Sequence, residues 1–127
     1  GNAGYDLSSM HDFWLLPGHW ITIETGVAVE IPSGYVGLIR GRSGMGFIHK
    51  VLVFDGTIDS TYRGEIKVLL SWNPPPSICV DGDTLHVKRG MRIAQLVIVP
   101  YWSAETELVD DLTETIRGES GFGSSGA

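Results

Sequence analysis

Gly56-Thr57-Ile58-Asp59-Ser60-Thr61-Tyr62-Arg63-Gly64-Glu65-Ile66 sets one carboxylate, Asp59, inside a tight turn between β-forming residues, with an aromatic ring three residues further on. Taken alone, the stretch reads as a β-hairpin whose Asp and Ser side chains satisfy their own turn. The same residues also suit chemistry. A carboxylate held in a turn can orient a water or a hydroxyl, and the neighbouring Tyr62 ring offers a flat face to a sugar or a base.

Outward from this turn, strand follows strand. Residues 21–25 and 27–31 are β-rich runs, the second closed by the turn Pro32-Ser33-Gly34, and residues 35–40 resume the pattern. Residues 51–54 and 65–72 flank the Asp59 hairpin, and residues 93–99 are so nearly all apolar that burial on both faces is expected. Asn73-Pro74-Pro75-Pro76-Ser77 cannot continue a central strand, because proline donates no ladder hydrogen bond, and reads as a surface loop with a second turn at Asp81-Gly82-Asp83. The best helical candidate, residues 104–112, is short and equally suits an extended connection. Many short strands separated by Gly and Pro turns predict an all-β sandwich or barrel of the jelly-roll kind.

The 127 residues are enough for one domain with a proper core and too few for two. A formal net charge of −6 argues against general nucleic-acid binding, which needs a basic surface to displace counterions. Any phosphate bound here must meet a local cluster of arginine and amide groups. The single cysteine, Cys79, allows no internal disulfide, reads as a small buried hydrophobe and points to a reducing cytoplasm. No apolar run approaches the ~20 residues that span a bilayer, so no membrane association is expected. His11, His19, His49 and His86 show no ligand spacing, and Trp14, Trp20, Trp72 and Trp102 read as core or subunit-contact aromatics.

Five short motifs carry a more specific signal. They are Ala3-Gly4-Tyr5-Asp6-Leu7, Arg42-Ser43-Gly44-Met45, the Asp59 segment, Gly90-Met91-Arg92-Ile93-Ala94-Gln95-Leu96, and Arg117-Gly118-Glu119-Ser120-Gly121-Phe122-Gly123-Ser124-Ser125-Gly126. In this order and from end to end, the chain resembles the trimeric deoxyuridine triphosphatase (dUTPase) family, and residues 35–38 and 92–100 resemble its phage-type members. The resemblance implies a distorted jelly-roll β-sandwich or barrel, homotrimeric, with a β-domain over residues 1–116 and a glycine-rich arm over 117–127 that closes on the active site. Family members usually carry a further N-terminal strand ahead of the first motif, expected here outside these residues.

Residue by residue, the resemblance implies a dUTP pyrophosphatase with Asp59 as the water-activating base and Asp6 as a Mg²⁺ residue acting through bound waters. Arg42, Ser43, Gly44, Gln95 and Arg117 would meet the phosphates, arginine because its fork of donors suits phosphate oxygens. Tyr62 would pack under the deoxyribose and exclude a 2′-hydroxyl. The hairpin from Val53 to Gly56, with Ile58, would read uracil through backbone groups. Phe122 would stack on the base from a neighbouring subunit, with Gly123, Ser124 and Ser125 reaching the γ-phosphate. The cytoplasm, of a host cell if the gene is viral, would be its place of action.

Departures from the family pattern fall at Gly41, Thr61, Glu119-Ser120, and at Phe54 and Asp55, which are bulkier than the residues common in the base-reading segment. Two other readings stand beside the first. One is a dCTP deaminase-type enzyme of the same fold, with Glu65 as acid/base. The other is a nucleotide-gated regulatory binding protein with a protein partner, since some viral family members engage regulatory proteins.

Overall fold

A computed structural model of the chain describes residues 1–78, 82–124 and 126. Cys79, Asp81 and Ser125, which the sequence reading assigned, lie outside the described residues. Among the described residues nine strands follow one another: β1 (Gly4–Ser8), β2 (Phe13–Leu15), β3 (Trp20–Val27), β4 (Tyr35–Arg40), β5 (Val51–Val53), β6 (Gly56–Ile58), β7 (Ile66–Trp72), β8 (Leu85–Val87) and β9 (Arg92–Pro100). All ladder pairs between them are antiparallel, in a four-stranded sheet β1-β9-β4-β6, a three-stranded sheet β3-β7-β5 and a two-stranded ribbon β2-β8. The expected all-β class holds. The sheets keep open edges, so the body is a sandwich and not a closed barrel.

Period-two alternation builds the core. On β3, Ile23 and Thr25 point inward between exposed Thr22 and Glu24; on β7, Ile66, Val68 and Leu70 are fully buried. With Leu7, Leu15, Ile39, Met45, Val51, Val87, Ile93 and Leu96, the side chains of Ile23, Ile66, Val68 and Leu70 form one continuous cluster that draws on all three sheets. Burying a side chain such as Leu70 contributes roughly 1.5–3 kcal/mol.

Several strand readings shift. Residues 27–31 form no strand of their own: Val27 closes β3 after a bulge at Glu24 to Val27, and the chain then leaves β7, although Ile31 still buries its side chain. The Asp59 turn is not a hairpin, because β6 pairs with β4 while β7 pairs with β3 and β5; residues 59–65 cross from one sheet to the other. The segment from Val53 to Gly56 is likewise a crossing between β5 and β6, which do not pair. On β9 the double burial stops at Leu96, and Ile98 is exposed. Residues 104–112 form no helix. The Asn73-to-Ser77 stretch does leave β7 as a mostly exposed loop entering a 3-10 turn at Pro76–Ile78. Of the tryptophans, only Trp72 packs on the core; Trp14, Trp20 and Trp102 are exposed.

The last strand ends at Pro100, and residues 101–120 are exposed throughout, including the apolar side chains of Leu108, Leu112 and Ile116. No helix among the described residues is long and apolar enough to cross a membrane.

Candidate active site

Strand order brings three of the motifs together. In the four-stranded sheet, Gln95 of β9 lies opposite Asp6 of β1 on one side and Arg40 of β4 on the other, and β4 runs on into Gly41 and Arg42. The Gln95 side-chain amide donates to Gly41 O at 2.9 Å, which ties β9 to the start of the Arg42 loop. Its path crosses Gly4, where a Cβ would stand 2.9 Å from Gln95 Cδ and push the amide aside.

Asp6 then spaces two cations. Arg42 Nε donates to Asp6 Oδ1 at 3.0 Å, and Arg92 Nη1 lies 3.5 Å from Asp6 Oδ2. The side chains are 28%, 62% and 42% exposed for Arg42, Arg92 and Asp6, so the pair of guanidinium groups remains open to a ligand. Ser43 precedes a single π-helical turn over Gly44–Ile48, and its side chain makes no capping hydrogen bond to that turn. Asp6, Arg42, Ser43, Gly44, Arg92 and Gln95 line a cleft of about 380 Å³. Two arginines against one carboxylate leave it net positive on a chain of charge −6.

Arg92 is the residue that sequence reasoning missed. Strict alternation puts residues three apart on opposite faces of a strand, so Arg92 and Gln95 should point apart. A register shift between Leu7 and Ser8 of β1 sets Ala94 opposite Leu7 and Arg92 opposite Ser8, and Ile93 and Ala94 are both buried in succession. That irregularity returns Arg92 to the side of Gln95. Two consecutive core residues inside the fourth motif were the signal available.

The second cavity, about 280 Å³, is lined by Thr57, Ile58, Asp59, Tyr62, Glu65 and Lys67. The crossing loop that carries it is held without help from the Asp59 carboxylate. Tyr62 N–H donates to Asp59 O at 3.1 Å, Arg63 Nη1 to Ser60 O at 2.6 Å, Arg63 Nη2 to Glu30 Oε1 at 3.0 Å, and the Tyr62 hydroxyl to Glu65 O at 2.8 Å. Glu65 Oε2 accepts the Gly26 N–H at 2.9 Å, so this carboxylate is spent on the bulge of β3. Among the described residues the Asp59 side chain makes no hydrogen bond or ion pair, and it is exposed. The bland reading, in which Asp59 satisfies its own turn, does not hold: backbone oxygen and Arg63 do that work.

The two cavities share no residue. Ile58 pairs with Gly37 of β4, three residues from Arg40, so roughly 10 Å of strand lies between the carboxylate end and the arginine end. Val53 packs against the core, and neither it nor Gly56 lines the Asp59 cavity, whereas Ile58 does. Arg117 Nε donates to Ser120 O at 2.7 Å and Ser124 N–H to Gly121 O at 3.0 Å, so the arm bonds to itself. Arg117, Phe122, Gly123 and Ser124 reach neither cavity of their own chain, and the Phe122 ring is fully exposed.

A family model for dUTPase matches residues 1–126. The chain belongs to the dUTPase family. It is 46% identical to the deoxyuridine 5'-triphosphate nucleotidohydrolase of Cutibacterium acnes, over 99% of this chain and 80% of that protein. A mutant of the Staphylococcus bacteriophage 80alpha dUTPase with dUpNHpp superposes with a TM-score of 0.87 at 33% identity, covering 99% of this chain and 87% of that one. A mutant dUTPase from phage phi11 of S. aureus, which coordinates a structural Mg(II) ion, matches with a TM-score of 0.78 at 32% identity over 87% and 84% of the two chains.

The donor set here limits how a metal could be held. No group of three His, Cys, Asp or Glu side chains able to hold one occurs among the described residues, and both Asp6 oxygens already face guanidinium groups. Such a set makes no all-protein cage. It would suit Mg²⁺ only as an ion that keeps several waters and needs few carboxylates, as Mg²⁺ commonly does.

Proposed function

We infer that this chain hydrolyses dUTP to dUMP and pyrophosphate. The observation that carries the reading is the shared rung of β1, β9 and β4, which gathers Asp6, Gln95, Arg42 and Arg92 into a net-positive cleft on an acidic chain of the dUTPase family. Water adds to the α-phosphorus, the bond to the oxygen bridging to the β-phosphate breaks, and pyrophosphate leaves with that oxygen. Asp59 orients the water and takes its proton late, as suits a carboxylate, which is a weak base at neutral pH. Its unengaged side chain on a fixed loop supports this role.

Arg42, Ser43, Gly44 and Gln95 neutralise and position the phosphate chain, and Arg92 joins them. Mg²⁺, when bound, supplies further neutralisation of phosphate charge, with Asp6 holding it through water. Tyr62 packs on the deoxyribose, beside Ile58 in the same cavity. Backbone groups between Val53 and Gly56 read the uracil edge. The arm contributes Arg117, Gly123, Ser124 and Ser125 to the γ-phosphate and Phe122 to the base.

These groups meet only between chains. The separation of the two cavities and a stretch beyond β9 whose Leu108, Leu112, Ile116 and Phe122 side chains find no cover on their own body support a homotrimer with shared sites. Purified protein is to be given each deoxynucleoside triphosphate with and without Mg²⁺. Pyrophosphate release from dUTP alone is expected. Similar rates on all of them would sink uracil selectivity, and ammonia from dCTP would mark a deaminase instead. The engagement of Glu65 by the Gly26 amide weighs against that alternative.

A further inference from the structure

We propose that Gly64 is a specificity-determining position, because its bare Cα is the seat on which the Tyr62 ring rests. The proposal builds on the reading of Tyr62 as the residue that packs against the sugar. Gly64 is not among the glycines with positive φ, so its backbone conformation would accept any L-residue. What requires glycine is the ring. A Cβ at position 64 would stand 2.6 Å from Tyr62 Cζ and 2.9 Å from Cε1, and nearer still to the hydroxyl oxygen. Carbon atoms pack at about 3.5–4.0 Å, so the outer edge of the ring would have to move by roughly 1 Å.

The rest of the loop has little freedom to move in its place. Arg63 is bonded to Ser60 O and to Glu30, Glu65 holds the Gly26 amide, and Ile66 is fully buried in β7. Displacement therefore passes to the ring and to the bond that anchors its tip, the 2.8 Å hydrogen bond from the Tyr62 hydroxyl to Glu65 O. A ring without that anchor no longer presents a fixed wall in the cavity it shares with Asp59, Ile58 and Lys67. Gly64 touches none of the reacting groups. It is a positioning residue whose effect runs through Tyr62.

The test compares kcat/KM for dUTP and UTP by pyrophosphate release in four proteins: wild type, Gly64→Ala, Tyr62→Ala and the double variant. Thermal unfolding checks that each is folded. For Gly64→Ala the dUTP to UTP ratio is expected to fall roughly tenfold, within the range that a change of one methylene in a substrate pocket produces. General loss of structure would lower both rates together and leave the ratio alone. In the Tyr62→Ala background, adding Gly64→Ala should leave the ratio unchanged, since the methyl group then has no ring to strike. A Gly64→Ala ratio within twofold of wild type, with Tyr62→Ala relaxed, overturns the proposal while sparing the reading of Tyr62. An equal fall in both backgrounds also overturns it. An unchanged ratio in Tyr62→Ala removes the reading of Tyr62 and the proposal with it.

Discussion

Asp59→Asn separates chemistry from architecture at the point where the two are easiest to confuse. The side chain is exposed, and among the described residues it makes no bond; the loop around it is held by Tyr62 N–H to Asp59 O, Arg63 to Ser60 O and Glu30, and the Tyr62 hydroxyl to Glu65 O. The amide keeps the shape and removes only the proton acceptor. Stability should therefore stay within about 0.5 kcal/mol, or about 2 °C in Tm for a domain of this size. Turnover should fall by ~10² or more, about 2.7 kcal/mol of transition-state stabilisation, the scale of a positioned general base. KM for dUTP should hardly move. Differential scanning calorimetry and steady-state pyrophosphate release decide it. Near wild-type kcat would show that another group activates the water. A loss of ten degrees in Tm would show that the carboxylate is structural after all.

Arg92→Gln should raise the KM for dUTP by about tenfold with a smaller change in kcat, as expected for one charge-assisted contact in an exposed cleft; an unchanged KM would remove Arg92 from the site. Leu70→Ala, which empties a fully buried position on the central strand of its sheet, should cost about 2–5 kcal/mol in chemical denaturation, and a loss below 1 kcal/mol would contradict the core assignment. Truncation before Gly118 should leave assembly intact by light scattering yet cut turnover strongly, because in the shared-site trimer the arm, which touches neither cavity of its own chain, closes on a neighbour's. Mixing truncated chains with Asp59→Asn chains should restore activity that neither parent has. No recovery in mixed trimers confirmed by mass would place the whole site within one chain.

The fold class and strand succession were legible because alternation and turn residues are local signals. Pairing was not. Nothing in residues 56–66 says whether two β-forming runs joined by seven residues pair with each other or part to different sheets, and here they part, so the turn read as a hairpin is a crossing loop. The end of residues 27–31 as a strand came from a bulge at Gly26, set by partners on β7 and Glu65 that lie about forty residues away in sequence. Asp6, Arg42 and Gln95 were read as companions from their motifs, and the register of three strands gives that companionship a geometry. Arg92 escaped because period-two reasoning fails where a strand slips by one residue.

The carboxylate between Arg42 and Arg92 also bears on the kind of anion the cleft favours. It trims two cations to one surplus charge, while most of the chain's net negative charge lies beyond β9, on Glu105, Glu107, Asp110, Asp111, Glu114 and Glu119. A single surplus charge displaces few counterions, so a polynucleotide would gain at this cleft little more than one of its phosphates gains. An anion whose charge is gathered in one short phosphate chain is thereby favoured over one whose charge is spread along a strand.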